Sequence, residues 1–121
     1  MHWTTLFVLL ALTALFLLVK RAGRIPLADA RKHLKSGALL IDVRTAGEFV
    51  SGHLPRAINL PVNEIDAVLP RRVPDKSKVL LVHCQTGLRC GIAKRKMKSL
   101  GYVNVFSIGP YARAAQAVNG K

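Results

Sequence analysis

The chain has 121 residues, half of them hydrophobic, which is enough for one domain of ordinary size and too few for two. That hydrophobic content excludes a disordered tail protein, and two cysteines cannot make the disulfide framework of a small secreted scaffold. The formal net charge is +13, and every Lys, Arg, Asp and Glu lies at or after Lys20. No acidic residue follows Asp75, so the C-terminal half presents a positive field that favours small anions, lipid head groups or nucleic acid.

The N-terminal segment is predicted to be a membrane anchor. The run Trp3–Val19 has 17 residues without a charged side chain, at the short end of the about 17–25 residues typical of a transmembrane helix. A cleaved signal peptide is the alternative, but the basic segment Lys20–Arg24 follows the apolar run, whereas a signal peptide carries its basic residues before it. The positive-inside rule then places the rest of the chain in the cytoplasm. We therefore expect residues 1–20 to form a single-pass anchor in the cell membrane, 21–24 a basic linker, and 25–121 one cytoplasmic domain.

Strand and helix patterns alternate through the remaining residues. Continuous apolar runs predict short buried strands of the kind found in parallel sheets, and apolar residues at helical spacing predict helices between them. This alternation indicates a small α/β domain with a central, mostly parallel sheet flanked by helices, and a ligand site beyond the carboxyl ends of the strands. The predicted strands are 39–43, 57–60, 79–82 and 103–108, and the predicted helices are 26–37, 46–50, 62–69, 91–100 and 111–118.

The segment after the most apolar strand combines the features of a reactive cysteine. This strand leads into His83–Gly91, with the sequence HCQTGLRCG, and then into a helix. Loop amides and the helix dipole converge on the centre of such a loop, so they favour a thiolate at Cys84 over a thiol. Arg89 adds a full positive charge, and Gly87 allows a backbone conformation closed to other residues. A buried cysteine that only packs is the alternative, but packing does not require a neighbouring glycine and arginine.

Two motifs resemble the rhodanese-homology domain family. The first lies in Leu40–Pro61, with the sequences LIDVRTAGEF and GHLPRAINLP, and the second is HCQTGLR in His83–Arg89. The later sequence LGYVNV, in 100–105, is also similar, so that the resemblance spans about residues 25–117. It implies a single rhodanese-like domain, 25–121, with a central parallel sheet and sulfurtransferase chemistry. We therefore expect a single-domain rhodanese with an N-terminal membrane anchor.

The resemblance also implies a catalytic residue and its surroundings. Cys84 is the expected nucleophile, which takes a sulfur atom from thiosulfate or a related small anionic donor and passes it, as a persulfide, to cyanide or a thiol. Arg89 is the expected contact for the sulfonate of the donor, and no cofactor is implied. The adjacent His83 and Cys84 do not have the spacing of zinc ligands, so no metal is expected. The residues implied to bind the substrate are Gln85, Thr86, Gly87, Leu88 and Arg89.

Two other functions remain open at this point. The related phosphatases have five residues between the cysteine and the arginine, whereas this chain has four between Cys84 and Arg89, a loop sized for one sulfur atom. A Cys-dependent phosphatase is therefore the less favoured alternative. The other is a membrane-tethered binding module whose rhodanese fold is catalytically idle. The basic run Lys94–Lys98 is either a solvated helix face or, close to the bilayer, a contact for anionic lipid. Nucleic acid is not favoured as its partner, because the run has no interleaved aromatic residues.

Three further residues near the motifs are candidates for supporting roles. Asp42 and Arg44 lie at the end of a predicted strand, on the same side of the sheet as the cysteine loop. A structural ion pair or a turn hydrogen bond is favoured over direct chemistry. Cys90 stands where the family often has Ser. It is either a small residue at the helix start or a resolving thiol that attacks the persulfide or pairs with Cys84.

Overall fold

The computed structural model describes residues 2–22 and 24–119. The order of strands and helices predicted from the sequence is confirmed. The elements are α1 (His2–Ala22), α2 (Leu27–Lys35), β1 (Leu39–Asp42), α3 (Ala46–Ser51), β2 (Ile58–Asn59), a 3₁₀ turn (Val62–Glu64), α4 (Ile65–Arg72), β3 (Leu80–Cys84), α5 (Leu88–Ser99), β4 (Val105–Pro110) and α6 (Tyr111–Asn119).

The four described strands form one sheet in the order β2-β1-β3-β4, and all of its strand pairs are parallel. This confirms the predicted α/β class with a central parallel sheet. In the register, Leu40 of β1 lies opposite Leu81 of β3, and Cys84 at the end of β3 lies opposite Pro110 of β4. Because the carboxyl ends of parallel strands share one edge of the sheet, the residues that follow β1, β3 and β4 meet beside Cys84.

Alternating side chains of the sheet feed two hydrophobic clusters, one on each face. Val82 and Cys84 belong to the cluster covered by α4 and α5, whereas Leu81 belongs to the cluster covered by α2 and α6. All three side chains are fully buried. The two-sided burial explains why β3 is a continuous apolar run instead of an alternating one.

Several element boundaries differ from the prediction, and three of these differences have a clear local cause. β3 extends to Cys84, because His83 and Cys84 continue the parallel pairing with β4. α5 begins at Leu88 and not at Gly91, because Gly87, with φ of 98°, turns the chain directly into the helix. α4 continues past Pro70, where we predicted its end, and stops at Arg72; a proline there removes only one helical hydrogen bond. The consequence for the site is that residues 89 and 90 occupy the first turn of α5, where backbone N–H groups have no partner within the helix.

The N-terminal apolar run forms α1, and its side chains, described as far as Leu18, are exposed. Among residues 2–22 and 24–119, no helix has both the length and the hydropathy that crossing a membrane requires. The transmembrane anchor predicted for residues 1–20 is therefore not supported. Residue 1 of the predicted anchor lies outside the described residues. In the predicted linker 21–24, residue 23 lies outside the described residues. The backbone of Arg24 forms a parallel β-bridge with Ser107 of β4.

Candidate active site

Cys84 is the last residue of β3 and is fully buried beneath the turn that leads into α5. The turn has only three residues, Gln85–Gly87, and it closes tightly because Gly87 adopts a left-handed conformation. The backbone N–H of Gly87 donates to the Sγ of Cys84 at 2.9 Å. The sulfur therefore lies in a ring of backbone amides at a helix N-terminus, an arrangement that stabilises negative charge.

A second thiol contacts this sulfur. The Sγ of Cys90 lies 3.2 Å from the Sγ of Cys84, and both cysteines are free and buried. The hydrogen bond from Cys90 is the largest of the causes that lower the pKa of Cys84 to about 6. Backbone N–H groups of Cys90, Gly87 and Arg89 act in the same direction, whereas burial raises the pKa. Cys84 is thus a thiolate at neutral pH.

Cys90 itself stays protonated. Its bond to the Cys84 thiolate and its burial both raise its pKa, so the Cys90 thiol keeps the proton that it donates. Its sulfur also lies 3.4 Å from the carbonyl oxygen of Gly109. The structure brings the two cysteines together, and this separation suits both the helix-start and the resolving-thiol interpretations of Cys90.

Arg89 is held by a carboxylate. Its Nη1 and Nη2 atoms donate to the two carboxylate oxygens of Glu48 at 2.6 and 2.9 Å. Glu48 also accepts from the backbone N–H of Thr45, in a capping box that starts α3. These contacts lower the pKa of Glu48 to about 2; the hydrogen bond from Arg89 is the largest cause, and the hydrogen bond from the Thr45 backbone is the second. The sulfonate contact predicted for Arg89 would therefore compete with a carboxylate that is already bound.

Asp42 and Arg44 form a buried ion pair that contacts the turn Gln85–Gly87. Nε and Nη2 of Arg44 donate to the carboxylate of Asp42, with an Nη2–Oδ2 distance of 2.8 Å. Its Nη1 donates to the side-chain oxygen of Gln85 at 3.3 Å. The guanidinium also lies 4.7 Å from the ring centroid of Tyr111, the first residue of α6. The pair therefore links the end of β1 to the turn and to α6.

His83 precedes Cys84 in β3, and its side chain lies on the opposite face of the sheet. It is fully buried, and neither ring nitrogen has a hydrogen-bond partner among the described residues. Burial is the main cause that lowers its pKa, so the ring is neutral at neutral pH. Among residues 2–22 and 24–119, no group of three His, Cys, Asp or Glu side chains is arranged to hold a metal ion.

Sequence reasoning missed one residue beside the turn. Arg24, assigned to the linker, lies against two glycines: a Cβ atom on Gly87 would be 3.2 Å from its Nη2, and one on Gly109 would be 2.9 Å from its Nε. No local pattern could have indicated this, because the contact depends on how the N-terminal segment pairs with β4. The side chains of Thr86 and Leu88 are exposed at the rim. The substrate binding implied for these residues falls on their backbone amides and stays a prediction.

The fold and the site together define a class. The protein has an α/β fold in which a buried cysteine of lowered pKa ends a central parallel strand, and backbone amides at a helix N-terminus surround its sulfur. Residues 26–109 match the family model of the rhodanese-like domain. The chain belongs to this family, as its two motifs indicated.

Individual relatives include sulfurtransferases and one other kind of enzyme. The chain is 35% identical over 69 residues to the thiosulfate sulfurtransferase PspE of Escherichia coli K12, covering 57% of this chain. It is 33% identical over 87 residues to the tRNA uridine(34) hydroxylase of Erwinia tasmaniensis, covering 65% of this chain. The matches span 66% of PspE and 25% of the hydroxylase.

Two solved structures are also similar. The human single-domain sulfurtransferase TSTD1 is 30% identical, with a TM-score of 0.66, and the match covers 78% of this chain and 96% of that one. A rhodanese with anions from E. coli is 31% identical, with a TM-score of 0.60 over 64% of this chain and 91% of that one. The chain thus has rhodanese-like sulfurtransferases among its relatives.

Proposed function

We propose that this protein is a sulfurtransferase that moves a sulfane sulfur from thiosulfate or a related anionic donor to cyanide or a thiol. The observation that carries the proposal is the geometry around the Cys84 sulfur, which accepts from the N–H of Gly87 at 2.9 Å and from the thiol of Cys90 at 3.2 Å. Both contacts lower the pKa of Cys84 and so favour the thiolate. Attack by a thiolate and stabilisation of a sulfur anion are the two requirements of persulfide chemistry. The similarity to PspE and to TSTD1 supports the same chemistry.

In the first half-reaction, the Cys84 thiolate attacks the outer sulfur of thiosulfate. A new S–S bond forms as the S–S bond of the donor breaks, and its electron pair leaves with sulfite. The negative charge then lies on the outer sulfur of the Cys84 persulfide. Backbone amides of the turn, with that of Gly87 nearest, would hold this charge as they hold the thiolate now.

In the second half-reaction, an acceptor takes the outer sulfur. Cyanide or a thiolate attacks that sulfur, the persulfide S–S bond breaks, and its electron pair returns to Cys84 as the thiolate. The low pKa of Cys84 makes it a good leaving group in this step. The products are thiocyanate or an acceptor persulfide, and the protein returns to its starting state with no cofactor.

The decisive experiment is intact-mass spectrometry of the full chain after incubation with thiosulfate. We expect a gain of one sulfur atom, lost on addition of cyanide and absent from Cys84→Ser. A polysulfide donor serves as a second source of sulfane sulfur. If neither donor produces an adduct, the proposal is wrong and an idle binding module is favoured. Hydrolysis of a phosphate ester that depends on Cys84 would instead establish the phosphatase alternative.

We also propose that the domain works in the reducing cytoplasm, at the surface of the cell membrane. Two observations support this location: both cysteines are free, and the apolar side chains of α1, such as Leu9 and Phe16, are exposed. Exposed apolar side chains favour association with a bilayer, and the basic residues of α5 favour anionic lipid. Fractionation of cells tests this directly. Recovery of the chain in the supernatant, or its cleavage by a protease added outside the cells, would contradict the proposed location.

A further inference from the structure

The positive charge around the catalytic turn is neutralised on one side only. On the side of β1, Arg44 is paired with Asp42, and Arg89 is paired with Glu48. Each guanidinium donates two hydrogen bonds or more to its carboxylate. An anionic donor that approached from this side would have to displace a bound carboxylate, which makes the other side of the turn the better approach.

On the β4 side, Arg24 lies directly against the turn. Its side chain fills the space beside Gly87 and Gly109, as the 3.2 and 2.9 Å approaches of its Nη2 and Nε atoms to their Cβ positions show. Both glycines have φ near +100°, so the backbone there is already adapted to this close approach. The segment that carries Arg24 is fixed to β4 through its backbone: Arg24 forms a β-bridge with Ser107, and the N–H of Ile25 donates to the Ser107 carbonyl at 2.9 Å.

Within the described part of the chain, the charge on this side has no carboxylate partner. Among residues 2–22 and 24–119, the guanidinium of Arg24 makes no hydrogen bond or ion pair. The nearby Arg113 donates to the carbonyl of Ile108, at 2.7 Å. After burial, the charge of Arg24 is the second cause that lowers the pKa of Arg113, so the two cations lie close enough to repel each other. Asp29 lines a cleft of about 340 Å³ with Arg24 but forms no ion pair with it.

We propose that Arg24 and Arg113 form a binding subsite for the sulfonate end of the sulfur donor, on the β4 side of the turn. This inference rests on the proposed sulfurtransferase function and adds the residues that select an oxyanion-bearing donor. Gly87 connects the subsite to the nucleophile. Its N–H donates to the Cys84 sulfur, and a Cβ atom on its Cα would point toward Arg24. Bond lengths and these contacts place Nη2 of Arg24 within about 9 Å of the Cys84 sulfur. The outer sulfur of the donor enters the amide ring while the sulfonate, and later the departing sulfite, lies toward the two guanidinium groups.

The test uses the full chain and three substitutions of equal charge change: Arg24→Gln, Arg113→Gln and Arg72→Gln. Arg72 is an exposed residue at the end of α4, at the opposite end of the sheet from Cys84, so it is the matched control. The thiosulfate concentration for half-maximal formation of the Cys84 persulfide is measured by intact mass. A charge-assisted hydrogen bond of about 1.5–3 kcal/mol corresponds to a rise of about 10- to 150-fold in that concentration for Arg24→Gln. Arg113→Gln should raise it in the same direction, and Arg24→Lys should raise it less.

A second measurement separates donor binding from damage to the turn. Iodoacetamide is uncharged and reports on the Cys84 thiolate without using a sulfonate site. We expect its rate of reaction with Cys84 to be the same in Arg24→Gln and in the wild-type chain. Equal thiosulfate dependence in Arg24→Gln and Arg72→Gln would overturn the subsite while leaving the sulfurtransferase function intact. A loss of iodoacetamide reactivity parallel to the loss of thiosulfate reactivity would also overturn it, because Arg24 would then act by supporting the turn. Failure of the wild-type chain to form any persulfide would instead refute the proposed function.

Discussion

Replacing Cys90 with Ala should shift the pH at which Cys84 becomes reactive. The Cys90 thiol, 3.2 Å away, is the largest contributor to the low pKa of Cys84. A hydrogen bond to a charged group contributes about 1.5–3 kcal/mol, and one pKa unit corresponds to about 1.4 kcal/mol. Loss of this donor should therefore raise the pKa of Cys84 from about 6 to about 7–8. At about pH 6.5, the thiolate fraction would fall from about three quarters to about a tenth.

The assay is the single-turnover rate of persulfide formation from thiosulfate, followed by intact mass from about pH 5 to about pH 9. The midpoint of the profile for Cys90→Ala should move to higher pH, and its limiting rate at high pH should not fall, because a thiolate of higher pKa is intrinsically more nucleophilic. Cys90→Ser is the matched control, since its hydroxyl keeps a donor at the same position. We expect its midpoint to stay close to that of the wild-type chain.

Two results would refute this reasoning. An unchanged midpoint in Cys90→Ala would mean that the backbone amides alone set the pKa of Cys84. Equal shifts in the Ala and Ser variants would mean that the sulfur of Cys90 acts through packing and not as a hydrogen-bond donor.

Three further predictions follow from contacts in the site. Hydrogen peroxide should oxidise the Cys84 thiolate to a sulfenic acid, which the thiol of Cys90 then attacks to form a disulfide with loss of water; mass spectrometry should detect the linked species, and its absence would exclude a resolving role. The folded-state pKa of Glu48, about 2 against an ordinary 4.5, means that its bond to Arg89 stabilises the fold fully above about pH 4.5 and is lost as pH falls toward 2. Thermal unfolding should therefore show that Glu48→Gln lowers the Tm at pH 7 by more than at pH 3, and equal losses at both would contradict the pairing. Asp42→Asn leaves a buried guanidinium without its carboxylate, so urea unfolding should show a loss of about 3–5 kcal/mol; a loss below about 1 kcal/mol would contradict the buried ion pair.

Much of the fold could be predicted because its signals are local. The apolar runs of β1 and β3 indicate two-sided burial from composition alone, and this in turn indicates a parallel sheet. The prediction of residues 1–20 as a membrane span is not supported among the described residues; its uncharged run of 17 residues lies at the short end of the required length. The start of α5 was also misplaced, because the first turn of this helix lacks the apolar spacing from which helices are predicted.

The residues of the site were predicted unevenly, for a physical reason. Sequence determined that a buried strand leads into Cys84 and a glycine-containing turn, because those features lie within a few residues of one another. Only the tertiary structure decided which charges act there. Arg89 meets Glu48, 41 residues away in the chain, and is neutralised. Arg24, which precedes Gly87 by 63 residues, lies against the turn because the segment before α2 pairs with β4. Electrostatic interactions depend on distances in space, and in this protein the packing of a parallel sheet sets those distances for residues that are remote in sequence.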